Sequence, residues 1–349
     1  MKNLLIQGDN IQGLKYLIND LNLKNKIDLV YIDPPFATNC NFTITNGRAT
    51  TISNSKTGNV AYTDKLLGSD FISFLRERLI LIYDLLSEQG SIYLHIDYKI
   101  GHYVKVLMDE IFGINNFRND ITRIKCNPKN FKRIGYGNIK DMILFYTKGN
   151  APIWNEPQEL YNDEDIKRLF PKQDINGRRY TTVPIHAPGE TKNPQMFKGN
   201  YPPIGRHWRT DVSTLEQWDK EGLIEWSANG NPRKIVYADD KKGKRVQDIW
   251  NNFKDPQYPV YPTEKNLDLL DLIIKTSSNN NSIILDCFCG SGTTLKAAER
   301  NGRNWIGIDQ SDLAINAATE KLGLHSNNLF KEDYEFINIL EKEHFAASI

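Results

Sequence analysis

The chain has 349 residues, 40% of them hydrophobic and 25% charged, with a formal net charge of +1. That composition allows a soluble domain with a substantial core, alone or carrying an inserted lobe. No run of about 18 apolar residues occurs, so a membrane span is not expected. The four cysteines (Cys40, Cys126, Cys287 and Cys289) have neither a disulfide framework nor zinc-ligand spacing, so the expectation is a reduced, cytoplasmic protein without a metal site.

In chain order, NLLIQGD predicts a strand ending at Gly8-Asp9. NIQGLKYLIND has helical apolar spacing at Ile11, Leu14, Leu17 and Ile18. The opening has no signal-peptide apolar core or cleavage site. IDLVYID is a near-continuous apolar run of strand length, as expected where both faces are covered. Residues 37–68 are polar and aperiodic and predict a long loop, a kind of segment that is usually functional or disordered. SDFISFLRERLILIYDLLSEQG predicts an amphipathic helix stopped by Gly90, followed by a strand at SIYLHID. YKIGHYVKVLMDEIFG predicts a helix ended by Gly113, and KDMILFYTKG a strand. Residues 150–245 are dense in turn residues and predict short strands with no long helix. NLDLLDLIIKTS is a predicted helix. SIILDCFCGSGTTLKAAERNG reads as strand, glycine turn and helix, NWIGID as a strand, and SDLAINAATEKLG as a helix. Strands alternating with helices at both ends imply an α/β fold with a mostly parallel sheet.

The neutral net charge hides an asymmetry. Between Phe117 and Trp250 there are 24 Lys or Arg against 17 Asp or Glu, leaving 20 against 26 elsewhere. Five of the six tryptophans (Trp154, Trp208, Trp218, Trp226 and Trp250) lie there too. Basic and aromatic residues together suit a nucleic-acid surface, although a charged lobe with tryptophans in its own small core has the same composition.

Two motifs carry chemistry. Gly290 and Gly292 fall between a strand and a helix, where they permit close backbone approach to a ligand at the helix N-terminus. Asp309 ends the next strand, about 20 residues on, where an acid commonly binds ribose hydroxyls. The loop is neither a Walker loop nor a full G-x-G-x-x-G fingerprint, and NAD, FAD and S-adenosylmethionine all remain open for it. Asp33-Pro34-Pro35-Phe36 ends another strand. The two prolines stiffen the turn and remove two N–H donors. That leaves the Asp33 carboxylate and prolyl carbonyls as acceptors, with the flat face of Phe36 beside them. Acceptors suit an amino group and a flat ring suits a planar base. Gripping both N–H bonds of an exocyclic amine would favour a more tetrahedral, nucleophilic nitrogen. A rigid surface turn is the bland alternative.

Together these motifs resemble the S-adenosylmethionine-dependent DNA amino-methyltransferases of restriction–modification systems. DPPF is similar to their catalytic motif, LDCFCGSGTT to their cofactor loop, GID to the acidic strand end, and YPTEKNLDLLDLII to the segment preceding the loop. The catalytic motif comes first, as in the permuted β-group that includes type II and type III modification enzymes.

The resemblance implies a Rossmann-like permuted methyltransferase fold. A split catalytic domain would occupy 1–150 and 246–330, an inserted target-recognition lobe 151–245, and a C-terminal tail 331–349. It places LLIQGDN beside NWIGID. It puts Asp9 and Asn10 at the cofactor adenine and Asp309 at the ribose. Phe288, Gly290, Ser291, Gly292 and Thr293 would surround the methionine part, with Thr263 and Lys265 flanking it. Asp33 would reach the methionine amino group or the target amine. Phe36 stands where tyrosine is commoner, which keeps stacking but loses a hydroxyl. Cys287 and Cys289 read as small packing residues.

The implied activity is sequence-specific methylation of the adenine N6 amine in double-stranded DNA, with the base extruded from the duplex and stacked on Phe36. Arg178, Arg179, Arg206, Arg209 and Lys234 are the candidate DNA contacts. Methylation of the cytosine N4 amine is the same-chemistry alternative, and a nicotinamide-dependent oxidoreductase the alternative from another class. A homodimer through the helices at 70–112 and a separate restriction endonuclease partner are further expectations. The compact length favours a stand-alone or type II enzyme over a type III subunit.

Overall fold

The computed structural model describes residues 2–35, 41–45, 48–50, 59–63, 68–127, 134–256, 264–324 and 334–339. Phe36 and Thr263 therefore lie outside the described residues. The chain divides into two compact units, Met1–Pro157 with Gln247–Ile349, and Gln158–Val246.

The first unit contains, in chain order, β1 (Asn3–Gln7), α1 (Asn10–Asn19), β2 (Ile27–Ile32), β3 (Asn41–Thr45), β4 (Arg48–Thr50), β5 (Asn59–Thr63), α2 (Ser69–Leu85), β6 (Leu86–Ile96), α3 (Gly101–Phe112), β7 (Phe117–Ile124) and β8 (Lys140–Thr147). After the second unit come β9 (Ile249–Trp250), α4 (Leu267–Ser277), β10 (Ile283–Asp286), α5 (Thr293–Arg300), β11 (Asn304–Asp309), α6 (Asp312–Leu322) and β12 (Tyr334–Asn338). One nine-stranded sheet runs β9-β7-β8-β6-β2-β10-β11-β1-β12. Every neighbouring pair is parallel except those of β8, which lies antiparallel to both β6 and β7.

The apolar runs explain the sheet. In β1 and β2 nearly every residue is buried, because helices cover both faces. Leu14 and Leu17 of α1, Leu75, Leu79 and Ile82 of α2 and Val104 and Met108 of α3 share one core with Val30, Ile92, Leu144, Leu285 and Ile306 from the strands. β1 pairs with β11 from Leu4↔Ile306 to Gln7↔Asp309, so the two chain ends complete one sheet. Since β1, β2, β10 and β11 are parallel, their C-terminal ends open on the same edge, where open α/β sheets bind ligands.

Four expectations need correction. The polar segment 37–68 reads as a loop, but β3 pairs antiparallel with both β4 and β5 in a three-stranded sheet; its strands are only three to five residues long, too short for their alternation to stand out among polar residues. Gly90 does not stop α2. That helix ends at Leu85, and Leu86 turns extended to pair with Ile27, so sheet pairing overrides the helical period of LLSEQ. A β-carbon at Gly90 would lie 2.9 Å from the Ile27 carbonyl oxygen, so close strand approach explains this glycine. The strand Phe117–Ile124 is not anticipated, because its half-buried, polar sequence FRNDITRI has no apolar run. Finally, the segment 331–349 reads as a tail, yet Tyr334–Asn338 forms the edge strand beside β1.

The second unit has a four-stranded antiparallel sheet, with the Arg179–Pro184 and Pro232–Tyr237 strands at its centre. It also has a short pair, His186–Pro188 with Arg206–Trp208, and the helices Asp163–Leu169 and Val212–Lys220. Ile185, Phe197, Trp208 and Leu215 form its core, with Trp218 packed against them. Two tryptophans of the aromatic-rich segment are thus core residues of this unit. Its own surplus is modest, 16 Lys or Arg against 13 Asp or Glu.

Candidate functional site

The C-terminal ends of β1, β2, β10 and β11 surround a cavity of about 610 Å³. Gly8, Asp9 and Asn10 enter it after β1, Asp33 and Pro35 after β2, Asp286 to Ser291 after β10, and Asp309 to Asp312 after β11. Phe74 and Arg78 reach it from α2, and Glu264 and Lys265 from the segment before α4. The two sequence motifs, some 250 residues apart, meet here.

The glycine turn is shaped by its backbone. Gly290 and Gly292 have φ of +49° and +74°, a region costly for other residues. A β-carbon at Gly292 would also lie 2.9 Å from that of Ala318. Asp309 holds the turn from the next strand: its Oδ2 accepts from the Gly290 amide and its Oδ1 from the Ser311 amide, each at 2.9 Å. Burial raises the pKa of Asp309 against the pull of these amides. Ser311, not Asp309, caps α6. Asp286 is buried deeper. Its Oδ2 accepts from Thr294 Oγ1 at 2.6 Å and its Oδ1 from the Phe288 amide at 3.0 Å. Burial, reinforced by Asp33 and Asp309, still pushes its pKa up to about 7.

Asp9 caps α1 by accepting from the amides of Ile11 and Gln12. Asn10 donates to the Cys287 carbonyl at 3.1 Å, tying this turn to the glycine loop. Arg78 unites the group. Its Nε donates to Asn10 Oδ1 at 2.6 Å, its Nη2 lies 3.4 Å from Asp9 Oδ2, and its guanidinium sits over the Phe74 ring. Phe74 in turn packs against Phe288.

Asp33 occupies the β2 corner at 15% side-chain exposure, with Oδ2 paired to Lys265 Nζ. Its Oδ1 is buried and accepts no hydrogen bond among the described residues. An unpartnered carboxylate oxygen is costly to bury, so this atom marks a place where a donor is missing. Behind it lies a buried relay. Asp141 accepts from Lys125 at 2.6 Å and meets His95 Nε2 at 3.2 Å. Burial raises the Asp141 carboxyl, but His95 and Lys125 outweigh it and hold the group well below the usual range. With Asp141 ionised, His95 Nε2 carries the proton and Nδ1 is the acceptor. Burial lowers the His95 pKa, which keeps the ring neutral, and raises that of Tyr31. Tyr31 therefore donates to His95 Nδ1, at 2.9 Å. His95 Nδ1 is 4.0 Å from Asp33 Oδ1, beyond hydrogen-bond range.

Of the residues named from sequence, Asp9, Asn10, Asp33, Pro35, Lys265, Phe288, Gly290, Ser291, Thr293 and Asp309 line this one cavity. Pro34 and Gly292 shape its turns. Arg78, Tyr31, Glu264 and Asp286 also line it and were not singled out, and neither was the His95–Asp141 pair behind it. Arg78 had a signal: it sits in the apolar stripe of α2 with Phe71, Leu75 and Ile82, where a charge needs a buried partner. Cys287 and Cys289 are buried, and burial raises both thiol pKa values. Among the described residues no cluster of potential metal ligands occurs, and no helix is long and apolar enough to cross a membrane.

In the second unit, Arg178 is spent on Asp239, with bonds of 2.9 and 2.8 Å. Lys234 lies 3.5 Å from the centre of the Trp218 ring. Arg179 donates to the Phe170 carbonyl at 3.4 Å. Arg206 and Arg209 are exposed and gather around His186, Arg206 at its Nδ1 and Arg209 at its carbonyl oxygen.

A fold with one open edge, a glycine loop and an Asp-Pro-Pro turn at the same cavity defines a class, and comparison with known proteins agrees. Residues 27–320 match the N6_N4_Mtase family model, described as DNA methylase. The chain is 38% identical to the type II methyltransferase M.EcaI of Enterobacter cloacae over 331 residues, covering 93% of this chain and 70% of that protein. It is 26% identical to the StyLTI Mod subunit, a type III restriction-modification enzyme of Salmonella typhimurium, over 93% of this chain and 55% of the relative. In fold it is similar to TTHA0409 of Thermus thermophilus, solved with S-adenosyl-L-methionine, at a TM-score of 0.50 and 14% identity over 97% and 98% of the two chains. The chain belongs to the N6/N4 DNA methylase family. That membership sets aside the nicotinamide-dependent alternative.

Proposed function

We propose that this protein transfers a methyl group from S-adenosylmethionine to the N6 amine of adenine at a specific sequence in double-stranded DNA. The observation that carries this reading is the Asp33 carboxylate, placed at the cavity that the glycine loop lines, with a buried Oδ1 that accepts no hydrogen bond among the described residues. The residues present fit the cofactor. The cavity volume suits a nucleoside-sized ligand, the carboxylates of Asp33, Asp286, Asp309 and Glu264 favour a cation, and positive-φ glycines bring backbone close. When bound, the cofactor supplies an electrophilic methyl group on a sulfonium.

The chain's own residues supply position and charge. The Asp33 carboxylate accepts from the target amine and stabilises the positive charge that develops on its nitrogen. Lys265 and the stiff prolyl turn hold that carboxylate in place. Asp9 and Asn10, locked by Arg78, stand at the adenine end, and Asp309 near the ribose. Ser291 and Thr293 stand at the methionine end. The base leaves its stack to reach this cavity and rests on Phe36.

Exposing DNA to protein and cofactor and mapping methylated bases tests the proposal. N6-methyladenine at one recurring sequence supports it, N4-methylcytosine establishes the same-chemistry alternative, and unmodified DNA refutes both.

Gln158–Val246 is the proposed target-recognition unit. Arg206 and Arg209 are the favoured backbone contacts, because no carboxylate pairs with them among the described residues, whereas Arg178 is neutralised by Asp239. Replacing both by Ala is expected to weaken DNA binding and lower the salt slope by about two, while Arg178→Ala changes it little; equal slopes in a salt titration would refute the assignment. The system is proposed to act in the cytoplasm with a separate endonuclease for cleavage. Ile80, Tyr103, Val106 and Ile114, each 48% or more exposed, are the proposed homodimer surface on α2, α3 and the turn after it, and a monomer in sedimentation at micromolar concentration would rule that out.

A further inference from the structure

Lys321, near the end of α6, belongs to neither sequence motif. Its Nζ donates to Ser291 Oγ at 2.8 Å, to Thr293 Oγ1 at 2.8 Å and to Glu264 Oε1 at 2.5 Å. An ammonium has three donors, and here each has a partner. The consequence falls on the hydroxyls. Each accepts from the ammonium, so neither can aim its own hydrogen at Lys321. The two oxygens are 3.5 Å apart, so one can donate to the other, but at least one O–H is left to donate elsewhere. Both residues line the cavity, at the start of α5, where the first-turn amides add further donors. This corner offers hydroxyl and amide donors held by the Lys321–Glu264 pair, in a cavity whose other charged lining residues are the acids Asp9, Asp33, Asp286, Asp309 and Asp312 with Arg78 and Lys265.

We propose that Lys321 is a specificity-determining residue that reserves this corner for a carboxylate, by forcing Ser291 and Thr293 to donate. This rests on the S-adenosylmethionine reading and deepens it. The cofactor's amino-acid head is a zwitterion. Its carboxylate is repelled by the acids elsewhere in the cavity and goes to the Lys321 corner, leaving its ammonium toward Glu264 and Asp33. Lys321 does not touch the ligand; it acts through the two hydroxyls.

The test is calorimetric binding of two nucleosides, S-adenosylhomocysteine, which has the head, and 5′-methylthioadenosine, which lacks it. Lys321→Met is expected to bind S-adenosylhomocysteine about tenfold or more weakly while holding 5′-methylthioadenosine within about twofold. The pair Ser291→Ala and Thr293→Val, with Lys321 intact, is expected to show the same selective loss, which keeps the proposal open to refutation if Lys321→Met does not fold. Unchanged affinity for S-adenosylhomocysteine, or equal losses for both ligands, overturns it. Failure of the unaltered protein to bind either nucleoside overturns the cofactor reading itself.

Discussion

Asp33→Ala is expected to lower the methyl-transfer rate by a factor of about 10² to 10³ or more, in line with the loss of one fixed transition-state contact, while S-adenosylhomocysteine still binds. The informative comparison is Asp33→Asn. The carboxylate has two acceptor oxygens, one paired with Lys265 and the other accepting no hydrogen bond among the described residues. Asparagine has one. Lys265 Nζ is a donor only, so it draws the amide oxygen toward itself and leaves the NH₂ group in the place of the second acceptor oxygen. That presents a donor to an amine that needs an acceptor. Asp33→Asn is therefore expected to fall nearly as far as Asp33→Ala. Adding Lys265→Met lets the amide flip and should restore part of the rate relative to Asp33→Asn alone. Single-turnover methylation of cognate DNA reads all four proteins. If Asp33→Ala keeps more than about a tenth of the rate, the proposed role of this carboxylate fails.

How far the site was legible follows from what each residue announces locally. Asp33-Pro34-Pro35 and the Gly290–Gly292 turn break strong apolar runs, so their place at strand ends could be read from patterning. That they share one cavity could not be read from spacing; it depends on β2 lying beside β10 and β1 beside β11. Lys321 was invisible for a different reason. In SDLAINAATEKLG it looks like a solvent-facing lysine near a helix C-terminus, a common and favourable placement. Its partners are 28 to 57 residues away. The relay behind Asp33 was missed similarly, because His95 and Asp141 lie in apolar strands and meet across the β6–β8 pair. The tryptophans leave two readings open, a binding face or a small core. Trp208 and Trp218 pack the core of the second unit, as a half-buried lobe requires, and aromatic content alone cannot separate a core from a binding face.

Asp286 gives the second large effect, through pH. Its folded pKa is about 7, raised first by burial, against an ordinary carboxyl value of 3.8. Below pH 4 the group is protonated in both folded and unfolded chains and contributes nothing to the pH dependence. As pH rises toward 7 the unfolded chain ionises and the folded protein does not, so the folded state binds more protons and stability falls. Above pH 7 the loss is complete, and from a shift of this size it is on the order of 4 kcal/mol at most. Asp286→Asn keeps an acceptor for the Phe288 amide or Thr294 and cannot ionise. Relative to the unaltered protein it is expected to gain stability progressively between pH 4 and pH 7, then hold a constant advantage. Urea denaturation across that range measures the difference, and parallel curves for the two proteins would contradict it. The same carboxyl links pH to the ligand. Asp286 lines the cavity, and a cation bound in that cavity would favour its ionised form, so S-adenosylmethionine binding near pH 7 is expected to release a fraction of a proton, and binding of the uncharged thioether S-adenosylhomocysteine to release less. Calorimetry in two buffers of different ionisation enthalpy counts those protons, and Asp286→Asn should abolish the difference between the ligands. If the difference survives in Asp286→Asn, the proton comes from another group, and Asp286 is a structural carboxyl held neutral by its burial.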